Sequence, residues 1–243
     1  MKKLLITLIA IALTGYLLFS VSYFRHRSRN RVCDRFSVVI ADSARLRIIS
    51  SREITQLIRR HKLDPVGKTF GEINTLAIRD TILTSKLVAS AEVYTTPDGS
   101  VIATVSQRKP ILRVISSTRG HFYVDSLGDI MPVSGRYAVY VPVATGYIDE
   151  EFARTRLCDF VRFLNAQPRW DVWVEQIVVQ RNREVILIPR AGDFRILLGP
   201  LDDYRSKLSK FTRFVDEGLS VVGWNRYSTI NLKYENQVVC TKR

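Results

Sequence analysis

The sequence has little with which to build a metal centre or a covalently cross-linked fold. Its 243 residues include only three cysteines, an odd number without C-x-x-C spacing: Cys33, Cys158 and Cys240. This pattern is typical of neither a disulfide framework nor a zinc ribbon. The three histidines stand far apart, without the spacing of metal ligands: His26, His61 and His121. No metal site is therefore predicted.

Sequence motifs of common enzyme classes are also missing. There is no G-x-S-x-G elbow, no glycine-rich phosphate loop and no H-E-x-x-H. Two acid pairs begin predicted helices, Asp202 with Asp203 and Glu150 with Glu151. Carboxylates at such positions commonly cap the helix or interact with its dipole. We therefore predict no catalytic residues.

A net charge of +14 raises the question of a nucleic-acid partner. Residues 1–35 carry seven Lys or Arg and one acid, so six of the fourteen net charges lie in this short region. The remaining charge is spread along the chain without a basic stripe interleaved with aromatics, a helix-turn-helix or a zinc-finger pattern. The sequence therefore predicts a solvated basic surface and no nucleic-acid partner.

The longest uncharged run is Leu4–Phe24, which is 21 residues long. This length suffices to cross a bilayer as a helix, so we predict a transmembrane helix at 4–24 after a short tail at 1–3. The alternative is a cleaved signal peptide with Ser20 and Ser22 at its small-x-small site. The apolar run, however, exceeds the usual length of a signal-peptide core.

Basic residues flank this run on both sides. Lys2 and Lys3 precede it, and a basic juxtamembrane linker is predicted at 25–35 with five arginines: Arg25, Arg27, Arg29, Arg31 and Arg35. The positive-inside rule would keep the following domain in the cytoplasm. Alternatively, the arginines rest on anionic lipid headgroups. Charge alone leaves the topology open.

A first folded unit is predicted at 36–110. A short strand, FSVVIA, precedes a helix that begins at a capping box of Ser50 and Glu53, and a second helix is predicted at about Ile73–Ser85. Two strand-like runs, ASAEVYTT and SVIATVSQ, then flank a turn at Pro97–Gly99. The order β-α-α-β-β predicts a three-stranded sheet with both helices on one face.

The block QRKP interrupts two strand-like runs. Pro110 lacks an amide donor and favours an extended Lys109, so we predict a domain junction at Gln107, Arg108, Lys109 and Pro110. Arg108 and Lys109 are expected to be exposed and to contribute little to stability. The alternatives are an edge strand whose charges discourage pairing, a partner contact and, third, a phosphate contact.

The second unit is predicted at 111–243. Two amphipathic helices are expected, from Glu150 to Asn165 and from Asp202 to Val215, with Gly218 as the stop of the second. Strand-like runs lie at 111–116, 122–125, 173–179, 185–189, 194–198 and 227–241. This mixture predicts an α+β domain, with a β-rich sheet and two helices packed on one side of it.

The whole arrangement resembles the FtsQ/DivIB family of bacterial cell-division proteins. A single anchor, a β-α-α-β-β unit like that family's POTRA domain and the closing QRKP come in the family's order. Residues 122–133, FYVDSLGDIMPV, and 140–146, YVPVATG, resemble the entry to its β domain. Residues 230–239, INLKYENQVV, resemble its closing segment. The short tail at 1–3 departs from the family's longer cytoplasmic tail.

The resemblance implies a non-enzymatic, single-pass scaffold of the divisome in the cell inner membrane, with its large domain periplasmic or extracytoplasmic, and it implies no cofactor. Its expected partners are FtsB/DivIC-like and FtsL-like coiled-coil proteins, and its expected role is to help regulate septal peptidoglycan synthesis. Two alternatives are a POTRA-like chaperone or assembly factor of the envelope and a membrane-tethered cell-wall enzyme.

The resemblance also implies a partner-binding region in the closing strand, where a partner peptide adds to the sheet edge. By motif this region carries over to six residues: Tyr234, Asn236, Gln237, Val238, Val239 and Cys240. For the side chains of Val238 and Cys240, the alternative is that they simply complete the core.

Overall fold

The computed structural model describes residues 12–20, 29–44, 47–133, 137–219, 223 and 226–243. The chain divides into two compact units, Met1–Gln107 and Arg108–Arg243. The predicted membrane helix at 4–24 lies largely outside the described residues. Its described part, 12–20, is helical and exposes large apolar side chains. Among the described residues, no helix has both the length and the apolarity needed to span a bilayer.

The first unit has the predicted β-α-α-β-β order. Its elements are β1 (Arg35–Ile40), α1 (Ser51–Arg60), α2 (Thr75–Leu83), β2 (Val88–Thr95) and β3 (Ser100–Gln107). The sheet order is β1-β3-β2, in which β1 runs parallel and β2 antiparallel to the central strand β3.

Both helices of the first unit pack on one face of its sheet. Ile54 and Ile58 of α1 and Ile78 and Ile82 of α2 form one buried cluster with alternate residues of all three strands. The predicted capping box is confirmed, because the Ser50 hydroxyl accepts from the Glu53 amide and the Glu53 carboxylate accepts from the Ser50 amide. Local sequence signals therefore determine where α1 begins.

The described part of the predicted basic juxtamembrane linker at 25–35, residues 29–35, is bonded to the first unit. The amides of Phe70 and Gly71 donate to the carbonyls of Arg31 and Arg29, each at 2.9 Å. The Cys33 amide donates to the Lys68 carbonyl at 2.8 Å. Backbone pairing with 67–71 thus orders 29–33, and Arg35 already begins β1.

Gln107 is the last residue of the first unit, and its side chain bonds to the backbone of that unit. Its side chain is buried, and its Oε1 accepts from the backbone amides of Ile48 and Ile49 at 2.8 and 3.0 Å. Its Nε2 donates to Asp42 Oδ1 at 3.0 Å. One amide side chain therefore satisfies buried backbone donors that have no strand or helix partner.

The second unit contains a nine-stranded sheet. Its strands are β4 (Pro110–Ser116), β5 (Gly120–Asp125), β6 (Ile130–Pro132), β7 (Val143–Gly146), β8 (Val174–Val179), β9 (Val185–Pro189), β10 (Arg195–Gly199), β11 (Tyr227–Asn231) and β12 (Val239–Lys242). The order is β12-β11-β10-β9-β8-β7-β4-β5-β6, and the pairs β4 with β7, β7 with β8 and β10 with β11 are parallel.

Helices cover one face of this sheet. They are α3 (Glu150–Phe152), which continues through a π-helical turn (Ala153–Leu157) into α4 (Cys158–Asn165), then α5 (Pro168–Trp173) and α6 (Tyr204–Phe214). Their buried side chains join alternate strand residues in one cluster, while most of the intervening strand residues are only partly buried; Tyr123 of β5 and Met131 of β6 are buried exceptions. The predicted α+β architecture with helices on one side is therefore confirmed.

Three sequence-based details of the second unit are wrong. Helix α6 does not stop at Gly218, because a π-helical turn continues it through Val215–Leu219. The run 227–241 is two antiparallel strands, β11 and β12, rather than one. Helix α5 was not predicted, although Pro168 at its first turn is a favoured helix-starting residue.

Arg108 is not the free surface charge that the sequence predicts. Its Nη1 donates to Asp125 Oδ2 at 2.8 Å and to Asp129 Oδ2 at 2.5 Å. Asp125 is only 3% exposed, and its Oδ1 accepts from the amides of Leu127 and Asp129. Arg108 therefore compensates a buried carboxylate, whereas Lys109 is exposed as predicted.

We expect Arg108→Ala to lower the free energy of unfolding of the second unit by about 1–3 kcal/mol, because it leaves a buried acceptor without its charged partner. The matched change Lys109→Ala should cost less than about 0.5 kcal/mol. Urea denaturation followed by tryptophan fluorescence measures this, since all three tryptophans lie in the second unit. Equal effects of the two substitutions would contradict the structural role of Arg108.

Gly146 provides a second test, because its φ of +107° and its surroundings both exclude a side chain. A Cβ there would lie 2.1 Å from the Val179 carbonyl oxygen, which is backbone. Gly120, at φ +75°, would meet nothing within 4 Å. Gly120→Ala should cost about 1–2 kcal/mol from backbone strain alone. Gly146→Ala should cost more than about 3 kcal/mol in the same denaturation assay, and similar costs would show that the contact relaxes freely.

Candidate functional site

Strand β12 forms one edge of the nine-stranded sheet. It pairs antiparallel with β11 through Asn231 with Val239, Ile230 with Cys240 and Thr229 with Thr241. Among the described residues, no strand pairs with its other side. An edge strand offers a row of N–H and C=O groups that an extended peptide can complete. The geometry therefore supports strand addition at this edge.

Side chains of β12 alternate between the core and the solvent. Val238 and Cys240 pack against the main core cluster, as the alternative interpretation for these two residues predicts. Val239, between them, is 42% exposed. Burial also raises the pKa of the Cys240 thiol above its ordinary value. The core-facing pair holds the strand in place.

The connection from β11 to β12 is held by polar contacts. Lys210 of α6 donates from Nζ to the carbonyl oxygens of Leu232 and Tyr234, at 3.3 and 2.5 Å. Asn231 Oδ1 accepts from the Lys233 amide at 3.0 Å. Asn236 adopts φ +56°, a left-handed conformation that asparagine tolerates better than most residues. These contacts position the turn that precedes β12.

A groove of about 310 Å³ opens between the end of α6 and this turn. Its apolar surface comes from Phe214 and Val238. The polar residues and the glycine that line it are Lys210, Arg213, Glu217, Gly218, Asn236 and Gln237. Such a groove suits a side chain with an apolar stem and a polar or charged end.

The six predicted partner-binding residues fall into two structural groups. Asn236, Gln237 and Val238 line the groove, whereas Val239 and Cys240 lie on the edge strand. Tyr234, 49% exposed, stands in the turn before them. The structure thus places all six around one edge, and whether they bind a partner stays a prediction.

Sequence reasoning missed the contribution of α6 to this groove. Four of its lining residues, Lys210, Arg213, Phe214 and Glu217, follow the i, i+3, i+4, i+7 spacing of one helix face. That spacing is visible in the sequence. However, it does not reveal which strand or turn lies opposite that face.

Residue Arg243, which follows β12, is also held by contacts. Arg243 forms an ion pair with Asp193 at 2.8 Å and donates to the Asp193 carbonyl at 2.6 Å. Its amide donates to the Arg226 carbonyl. These contacts anchor the far end of β12 against the sheet.

No metal site accompanies the edge within the described ranges, where no three His, Cys, Asp or Glu side chains are grouped closely enough to hold an ion.

Comparison with known families matches two regions of the chain. Residues 109–241, more than half of the sequence, match the family described as FtsQ/DivIB, C-terminal related. Residues 31–106 match the POTRA-like domain. No curated protein matches the sequence. The two matched regions correspond to the two units of the structure.

The packing of β12 predicts that the thiol of Cys240 reacts slowly with maleimide. Because burial raises the pKa of the Cys240 thiol, its thiolate fraction near neutral pH should be below that of a free cysteine. Maleimide labelling of the native protein should therefore be slower than labelling of free cysteine at the same pH, and should accelerate as the pH rises. Cys240→Ser should abolish it, since Cys33 and Cys158 are buried. Labelling as fast as that of free cysteine would contradict the observed packing.

Proposed function

Because the chain belongs to the FtsQ/DivIB family, we propose that it is a non-enzymatic scaffold of the bacterial divisome that binds FtsB/DivIC-like and FtsL-like partners. Through these partners it helps to regulate septal peptidoglycan synthesis. The family is one of non-enzymatic division scaffolds, which supports the scaffold role and the absence of catalysis.

The free outer edge of β12 is the observation that carries this proposal. A partner segment adds there as a tenth strand, and its main-chain hydrogen bonds supply affinity independent of side chains. The neighbouring groove supplies specificity by receiving one side chain of the partner. The edge is the end of a sheet whose other strands pack on the core, and β12 is already an extended strand before a partner binds.

We also propose that residues 4–24 anchor the chain in the cell inner membrane. The large domain then lies outside the cytoplasm. The uncharged run of 21 residues supports the anchor. The basic residues that follow it oppose this orientation by the positive-inside rule, unless they are held at lipid headgroups. We expect Asp98→Cys to be labelled by a membrane-impermeant thiol reagent in intact spheroplasts. Labelling only after lysis would place the large domain in the cytoplasm.

Proline substitutions along β12 test strand addition at the edge. Successive amides of a strand point to opposite sides, so those of Val239 and Cys240 face opposite edges of β12. The two variants are Val239→Pro and Cys240→Pro. The one whose replaced amide faces outward should weaken capture of an FtsB/DivIC-like peptide by about tenfold or more with the fold intact. Proline at the inward amide should instead destabilise the β11–β12 pair.

Val239→Ala is the matched control, because it shortens an exposed side chain and keeps the amide. Capture should persist in this variant if main-chain pairing dominates. Isothermal titration measures the peptide affinity, and circular dichroism monitors the fold. Native folding with undiminished capture in both proline variants would sink strand addition at β12 while leaving the family assignment untouched.

A further inference from the structure

Basic residues cluster at segment 29–33, which is bonded to the first unit, and at the segment 59–68 that pairs with it. Segment 29–33 pairs with 67–71, and Lys68 Nζ lies 3.5 Å from the Lys62 carbonyl oxygen, just after α1. Segments 29–35 and 59–68 together are the tether patch. It carries seven basic residues against two aspartates, a net charge of +5: Arg29, Arg31, Arg35, Arg59, Arg60, Lys62 and Lys68 against Asp34 and Asp64.

Beyond the patch, the folded part of the first unit carries little net charge: residues 36–58 carry three basic and two acidic residues, a net charge of +1. Residues 72–107 carry two basic and four acidic residues, a net charge of −2. Within the patch, Asp64 is occupied by an ion pair with Arg59 at 3.0 Å and by the Val66 amide at 3.2 Å. The unit is therefore electrically polarised along its sequence, with the positive part at the tether.

Two exposed apolar side chains accompany these charges. Val32 is 45% exposed and Val66 is 48% exposed, and the backbone pairing brings their segments together through the bond from the Gly67 amide to the Cys33 carbonyl. Exposed apolar residues among Lys and Arg are typical of surfaces that lie in the headgroup layer of a membrane.

Chain length keeps this patch close to the proposed anchor. Five Cα–Cα steps separate Phe24, the end of the apolar run, from Arg29, which is bonded to the first unit. Even fully extended, they span at most about 18 Å. The headgroup layer is itself about 5–8 Å thick, and charges act over about 8–10 Å at physiological salt. Fully extended, these residues would leave the Arg29 end of the patch about 10–13 Å beyond the headgroup layer, close to that screening distance, and any less extended path brings it nearer to the bilayer.

We propose that the tether patch binds the surface of an anionic phospholipid membrane and so holds the first unit against the bilayer. This inference rests on the anchor in the proposed function. Its chemistry differs from that of the β12 edge, since lipid phosphates are attracted by charge and the two valines enter the headgroup layer.

Fluorescence quenching in nanodiscs tests this contact with the full chain. A Cys240→Ser background carries a fluorophore either on Val66→Cys in the patch or on Tyr94→Cys, a similarly exposed site in β2. Cys33 and Cys158 are buried and stay unlabelled. The discs contain phosphatidylcholine alone or with phosphatidylglycerol, and a spin label on the lipid headgroup is the quencher.

With phosphatidylglycerol, we expect quenching at position 66 to exceed that at position 94 by about threefold, and to fall to the latter level in high salt. Lys68→Glu with Arg60→Glu should have the same effect as salt. The control pair Arg79→Glu with Lys86→Glu makes the same charge change in 72–107 and should leave the quenching unchanged.

The outcomes separate the patch from the anchor. If alkaline carbonate extracts the chain from the membrane, the anchor fails and the patch inference fails with it. If the chain is retained but position 66 is quenched no more than position 94, the patch does not bind lipid and the anchor stands. Equal quenching at position 66 with and without phosphatidylglycerol also overturns the inference, because contact would not depend on anionic lipid.

Discussion

One row of apolar side chains fixes the register of the second unit. Paired residues carry it across seven strands in the order Val114, Ala144, Ile177, Leu187, Ile196, Ile230 and Cys240. Because strand side chains alternate between faces, a slip of one residue in any strand would turn its member of the row toward solvent. The row ends at Cys240, so the same constraint that builds the core also places the backbone of β12 at the sheet edge.

Two neighbouring residues satisfy buried polar groups in different units. Gln107 completes the first unit by bonding the amides of Ile48 and Ile49, and Arg108 completes the second by pairing with Asp125. Asp125 begins a turn that ends at Gly128, where φ is +86° and a Cβ would lie 2.5 Å from a backbone oxygen. A short polar block thus has a structural role that hydrophobicity alone does not indicate.

The sequence predicts those features whose causes are local. The capping box at Ser50, the turn at Pro97–Gly99 and alternating apolar residues determine the first unit, and the family resemblance is confirmed over 109–241. Features with distant causes are missed. Arg108 reaches carboxylates 17 and 21 residues later, and the groove joins a helix to a turn about 25 residues beyond it. The break between β11 and β12 was also missed, since its turn contains neither Gly nor Pro and relies on Asn236 at positive φ.

The parallel pairs of the second unit have a consequence for its folding kinetics. Arg113 pairs with Val143, Val143 with Gln176 and Arg195 with Thr229, so each pairing closes a loop of thirty or more residues. Closing such loops costs entropy before the contacts form, which slows folding. The antiparallel β11–β12 pair is a local hairpin and needs no such closure. Docking of this hairpin onto β10 is therefore the slower step, and until it occurs both edges of the hairpin are open to incorrect pairing with other chains.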